Sequence, residues 1–252
     1  MQAVDFNSDL GESFGLWERG ADEAMMKVIS SANVACGFHA GDPSTMAVTL
    51  ALAGKHGVSV GAHPGLPDLL GFGRRRIDVT PGDVRSYVLY QLGALSAFAR
   101  AAGTRLHHVK PHGALYMMVL DDPALAAAMV DAVATFDDRL PIYTLAGSEA
   151  WDAAGSKGLR PVPEFFADRP MRKDGSVVMF RWWEQFSATP EVVGGRVTEL
   201  VTTGRVTSIE GPPVEVHAET ICVHSDTPRA DELGPAVRAA FDRRGVEVTS
   251  AL

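Results

Sequence analysis

Residues 32–43, ANVACGFHAGDP, hold a complete structural sentence. Ala32 to Phe38 is a short apolar run with no apolar–polar alternation, as in a strand buried on both faces. His39 closes it, and Asp42-Pro43 then offers an N-cap oxygen followed by proline at a first helical position. Strand, polar end and capped helix make one β/α unit.

The unit recurs outward in both directions. Comparable runs lie at Ala3–Asn7, Val58–Ala62, Leu106–Lys110, Leu140–Leu145, Pro161–Phe166 and Thr220–Val223. Thr80-Pro81, Asp122-Pro123, Thr189-Pro190 and Thr227-Pro228 repeat the helix-start signal. Seven strands in β/α alternation over 252 residues predict one α/β domain, 1–252, with a parallel sheet or barrel. A small hairpin is expected over Val206–Val216, turning at Gly211-Pro212-Pro213. His63–Val79 and Asp168–Ala188 exceed ordinary βα connections, so they are candidate lids or binding loops.

Composition narrows the function. A net charge of -8 argues against nucleic acid or an anionic membrane as the main partner. The first residues lack a signal-peptide pattern and no window has the length of a membrane span, so a cytoplasmic location is expected. Cys36 and Cys222 each sit in an apolar run and read as buried reduced thiols. No phosphate-loop or dinucleotide fingerprint occurs.

In parallel β/α architectures ligands bind at the carboxyl ends of the strands. Here those ends carry Asp9 and Glu12, His39 and Asp42, His63, Lys110 and His112, Glu164 with Asp168 and Arg169, and His224 with Asp226. Singly, Asp42 and Asp226 are most simply helix caps, Arg169 a surface ion-pair partner, and Asn33 a group satisfying backbone. His56 and His107 close no strand and are assigned to structure or surface. Jointly, histidines, carboxylates and a lysine on one rim supply acids, bases and an electrophilic cation.

DFNSDLGESFG (5–15), ANVACGFHAGDP (32–43), GAHPGLPD (61–68), GFGRR (71–75), HVKPHGALY (108–116), EFFADR (164–169) and ICVHSDTP (221–228) together resemble the LamB/YcsF family. The resemblance implies a distorted seven-stranded β/α barrel similar to glycoside hydrolase and polysaccharide deacetylase folds. It further implies ATP-coupled hydrolysis of 5-oxo-L-proline to L-glutamate with separate B and C subunits. With no phosphate loop in this chain, ATP and Mg2+ are expected to be held largely by those partners. Whether the free chain is a monomer or a homo-oligomer is left open.

Within the matching motifs, Asp9, Glu12, His39, His63, Lys110 and His112 are the expected catalytic residues. Lys110 and Arg169 are assigned to anion stabilisation, His112 with His63 or His39 to proton transfer, and Asp9 with Glu12 to orienting a histidine or water. Asn7, Asn33, Glu164, Asp168, Arg169, His224 and Asp226 are the expected substrate-binding set. Asp9, His39 and His63 are candidate ligands for a divalent metal. Ser8, Met117, Pro170-Met171, Trp182-Trp183 and Ser225 depart from the family pattern, and the tryptophans either pack the long loop or reshape the substrate lid or a partner surface. The alternatives are a metal-dependent deacetylase or amide hydrolase, and a non-catalytic substrate-binding subunit.

Overall fold

The computed structural model describes residues 1–251. The chain runs β1 (Ala3–Leu10), α1 (Asp22–Met25), β2 (Ser31–Ala35), α2 (Pro43–His56), β3 (Ser59–His63), α3 (Pro81–Ala101), α4 (Gly113–Asp121) and α5 (Pro123–Phe136). It continues β4 (Ile142–Thr144), α6 (Glu149–Lys157), β5 (Pro161–Phe166), α7 (Pro190–Thr203), β6 (Arg205–Thr207), β7 (Pro213–Glu215), β8 (Thr220–Cys222), α8 (Ala230–Arg244) and β9 (Glu247–Val248).

The parallel strands are ordered β3-β2-β1-β8-β5-β4, and Val109 bridges β3 on one side and β4 on the other. Val109 N–H donates to Pro141 O at 2.9 Å, while Lys110 N–H donates to Ala62 O at 2.9 Å. The expected fourth strand, Leu106–Lys110, is short and irregular: His107 N–H donates to Val60 O at 2.7 Å, His108 O accepts from Ala62 N–H at 2.9 Å, and Val109 pairs on both sides, closing a seven-membered ring. β9 adds a parallel pair to the start of β1, and β6 with β7 forms the expected hairpin.

Side-chain parity explains what lies inside. Phe6 on β1 packs edge-on against Phe241 of α8, so even-numbered β1 residues face the helices. Asp5, Asn7 and Asp9 therefore point into the barrel. The other strands meet them in kind: Asp5 accepts from Ser31 and Thr220, and Asn33 donates to both Asn7 and Asp9. The apolar core lies between this polar-lined sheet and the helices, with α3 on α5 and α7 on α8.

Four of the five proline-marked starts are caps as expected, at Asp42, Thr80, Asp122 and Thr189. Thr227-Pro228 is not. The Thr227 hydroxyl donates to Asp168 Oδ2 at 2.7 Å and accepts from Arg169 at 2.9 Å, so α8 starts later, at Ala230, behind Arg229 with φ 63°. β2 also stops short of Phe38. Gly41 must fold back so closely that a Cβ there would lie 3.0 Å from the Ala35 and Gly11 carbonyl oxygens. Both cysteines are free and buried, as expected.

Candidate active site

Lys110 is the centre of the polar interior. Its ammonium is fully buried and donates to Asp9 Oδ1 at 2.9 Å and Asn7 Oδ1 at 3.2 Å, with Glu164 Oε1 at 2.8 Å and Cys222 Sγ at 3.1 Å. Burial disfavours the charge, but Asp9 first, then Cys222 and Glu164, hold it well above the ordinary lysine value. Burial would likewise raise Asp9, yet His63 and Lys110 pull it well below the carboxylate range. Glu164 goes the other way, because burial outweighs Lys110. Asn33 donates to Asp9 and Asn7, and Asn7 and Glu164 both contact the Lys110 ammonium, so all three support Lys110 and Asp9.

A second group forms at the ends of β1, β2, β3 and α4. His63 Nδ1 lies 2.7 Å from Lys110 O, and His112 Nε2 lies 2.7 Å from Phe72 O. Their remaining nitrogens face each other at 3.0 Å. Glu12 Oε1 is 3.4 Å from both His39 Nε2 and His112 Nδ1, and the His39 ring stacks on His112 with centroids 3.7 Å apart. Burial, followed by neighbouring imidazoles, pushes His39 and His112 well below the usual histidine value. Burial, then Asp226 and Asp9, pushes Glu12 well up.

The third group joins Asp168, Arg169 and His224. His224 Nδ1 meets Asp168 Oδ1 at 3.0 Å, Arg169 donates to Asp168 Oδ2 at 2.7 Å, and the guanidinium lies 4.6 Å from the Trp182 ring. Burial opposes it, but Arg169 and His224 draw Asp168 strongly down. Trp182 therefore packs the loop over the site, while Trp183 is largely exposed. Asp226 is no helix cap; it takes Arg74 at 2.8 Å and Arg19 at 2.8 Å.

These groups surround a cavity of about 10 Å3 bounded by Asp9, Lys110, His112 and His224, room for about one water. Arg74 from the 63–79 loop and Met179 from the 168–188 loop close it. A cleft of about 210 Å3, walled by Trp17, Leu70 and Phe72, reaches Glu12 and His39 from outside. A wider groove of about 630 Å3 lies at the opposite barrel end beside Asp5 and Arg160, away from the convergent side chains.

Sequence reasoning missed several participants. Cys222 and Tyr116 flank Lys110 and Glu164, Arg74 stands out in the sequence only as part of a basic run, and Thr227 reads there as a cap. His108 is buried, with Nε2 2.7 Å from Asn33 Oδ1, and stacks on Tyr143 at 4.1 Å. Its separation of two residues from Lys110 was a usable signal, since alternate strand residues share a face. The metal candidates Asp9, His39 and His63 do not form one compact donor set. Among the described residues the compact sets are Glu12-His39-His63-His112 and Asp9-Cys222-His224.

The model of the LamB/YcsF family matches residues 4–252. The chain belongs to the LamB/YcsF family. One LamB/YcsF relative, from Syntrophobacter fumaroxidans and named as the A subunit of 5-oxoprolinase, is 49% identical over 98% of each chain. The crystal structure of a lactam utilization protein from Thermus thermophilus superposes with a TM-score of 0.94 at 44% identity, covering 99% of this chain and 100% of that one. A polysaccharide deacetylase from Bacillus cereus gives a TM-score of 0.52 at 11% identity over 100% of this chain and 93% of its own, a likeness of fold alone.

Proposed function

We propose that this chain opens the lactam of 5-oxo-L-proline to L-glutamate within an ATP-dependent assembly that includes B and C subunits. The observation that carries the reading is a lysine fixed between two buried carboxylates, facing a histidine–aspartate pair across one closed cavity. End-to-end identity to a protein named as a 5-oxoprolinase component supports the substrate.

Amide resonance makes a five-membered lactam a poor electrophile. Phosphoryl transfer from ATP to the lactam oxygen converts C5 into an imidate-like carbon. Water adds there, the C–N bond breaks as nitrogen takes a proton, and the resulting acyl phosphate is hydrolysed to glutamate and phosphate. ATP with Mg2+ is assigned largely to the partner subunits, because this sequence has no phosphate loop.

In this chain Lys110 supplies positive charge toward the developing oxyanion, with Asp9 and Glu164 holding it in place. Proton transfer goes to His224 in preference to His112, whose two ring nitrogens both lie against His63 and Phe72. Asp168 holds His224 Nδ1–H, leaving Nε2 to take a proton from water and return it to the departing nitrogen.

The test is glutamate formation from 5-oxoproline with ATP and magnesium, using this chain, its partners, and the complete mixture. Turnover is expected only in the complete mixture, and His224→Ala should lower kcat by about 10²–10⁴-fold. A folded, complete assembly with no turnover would reject 5-oxoproline. Activity of the lone chain on N-acetyl sugars without ATP would instead support a deacetylase.

A further inference from the structure

We propose that Glu12, His39, His63 and His112 form a binding site for one divalent first-row transition metal ion, zinc being the best match. A carbonyl oxygen can only accept, so the proton on His63 sits on Nδ1, against Lys110 O, and the proton on His112 sits on Nε2, against Phe72 O. Two backbone carbonyls thereby orient the two imidazoles so that His63 Nε2 and His112 Nδ1 face each other at 3.0 Å, with Asp9 Oδ2 3.2 Å from the same His63 nitrogen. Metal-ligating histidines are oriented in this way, with the second nitrogen donating to a backbone carbonyl or carboxylate.

Two further donors have no other employment. Glu12 Oε1 and both ring nitrogens of His39 lack hydrogen-bond partners, although Glu12 is 3% and His39 1% exposed. Glu12 Oε1, His63 Nε2 and His112 Nδ1 are spaced to share one ion, while His39, whose ring lies within 3° of parallel to that of His112 at 3.7 Å, joins them once its ring turns out of the stack. Four ligand atoms about 2.0–2.1 Å from a tetrahedral ion are separated by roughly 3.3 Å. Here Glu12 Oε1 lies 3.4 Å from His39 Nε2, 3.4 Å from His112 Nδ1 and 4.0 Å from His63 Nε2.

A proton on His63 Nε2 is the competing arrangement. It would satisfy Asp9 or His112, but would leave Glu12 Oε1 and His39 without partners. Three imidazoles and one carboxylate select zinc or its neighbours over magnesium or calcium, which take oxygen ligands. The cleft reaching Glu12 and His39 supplies an entry path. The site adjoins the groups assigned to lactam opening, but its donor geometry does not depend on the substrate.

The experiment uses the full chain without a histidine tag, stripped with chelator and titrated with zinc chloride or cobalt chloride by calorimetry. Elemental analysis follows desalting, and the cobalt form is read by its ligand-field absorption. One equivalent per chain, a tetrahedral cobalt spectrum and a zinc-dependent rise in melting temperature are expected. His63→Ala and His112→Ala should each weaken binding by at least about 100-fold, with Glu12→Gln as the conservative variant should either fail to fold. The exposed-loop change His217→Ala should leave binding intact. Substoichiometric binding by the native chain, or binding that survives in Glu12→Gln and the histidine variants alike, overturns the proposal. Glutamate production by an assembly in which this chain binds neither metal would remove the metal and keep the lactam reading; metal binding without glutamate production would do the reverse.

Discussion

Lys110 and Asp22 illustrate opposite ways of burying charge. Lys110 stabilises two carboxylates that its loss would leave facing each other in a dry interior. Breaking a buried pair from one side typically costs about 3–5 kcal/mol, so Lys110→Met should lower urea-melt stability by that order. Adding Glu164→Gln, which removes one orphaned charge, should restore part of it. Asp22 has only the Gly11 N–H at 2.8 Å, and burial pushes its carboxyl from 3.8 up to about 6. The folded state then holds the proton more tightly than the unfolded chain, so stability falls as pH rises through that window. Asp22→Asn keeps an oxygen for Gly11, and should gain about 1–2 kcal/mol near pH 8 and almost nothing below about pH 4, after allowance for solvent screening. Equal gains at both pH values would exclude the charge as the cause. Residue types at strand ends were legible because charge is unusual after an apolar run. The direction of each side chain was not: that Asn7 and Glu164 both turn to the Lys110 ammonium follows from strand parity and long-range pairing, which residue type alone does not give.

Helix starts were the most legible elements, since proline and a capping oxygen act within four residues. Thr80 accepts from Asp83 N–H at 3.2 Å while Asp83 accepts from Thr80 N–H at 2.9 Å, a reciprocal box on the longest helix. Thr80→Ala should cost about 1 kcal/mol and lower Tm by roughly 2–4 °C, without changing metal uptake or turnover. The same signal misled at Thr227, where a long-range demand from Asp168 and Arg169 outweighed local capping. Strand ends were harder. The apolar stretch Leu106–Lys110 looks like any other strand, and His107 to Lys110 do bond to β3, but only Val109 also reaches the β4 side, because the extent of a ladder depends on neighbours far away in sequence. Gly61 shows the tightness of that junction: a Cβ would stand 2.1 Å from the His108 ring.

For the whole molecule, α/β alternation predicted the barrel, and family resemblance predicted its distortion. Closure on the β4 side through Val109 alone makes a sharp expectation. Val109 and Tyr143 amides, bonded to Pro141 O and Val109 O, should exchange with solvent only on global unfolding, as the β1–β2 amides do. Fast exchange there with slow exchange in β1 would describe an open sheet. The loops carrying Arg74 and Met179 should exchange faster, and slow when substrate binds, since a cavity of about 10 Å3 admits a lactam only after they part.

The position of β1 has a consequence for biosynthesis. Asp5–Asn7 pair with residues 220–222, and Ala3–Val4 with residues 247–248. A ribosome adding about 5–20 residues per second therefore exposes the first strand for tens of seconds before its late partners emerge. Throughout that interval the nascent chain carries an unzipped edge and uncompensated interior carboxylates. Vectorial folding of the amino-terminal half is accordingly disfavoured, and the barrel should assemble after translation as one cooperative event, with stalled chains lacking residues 220–248 the species most in need of chaperones.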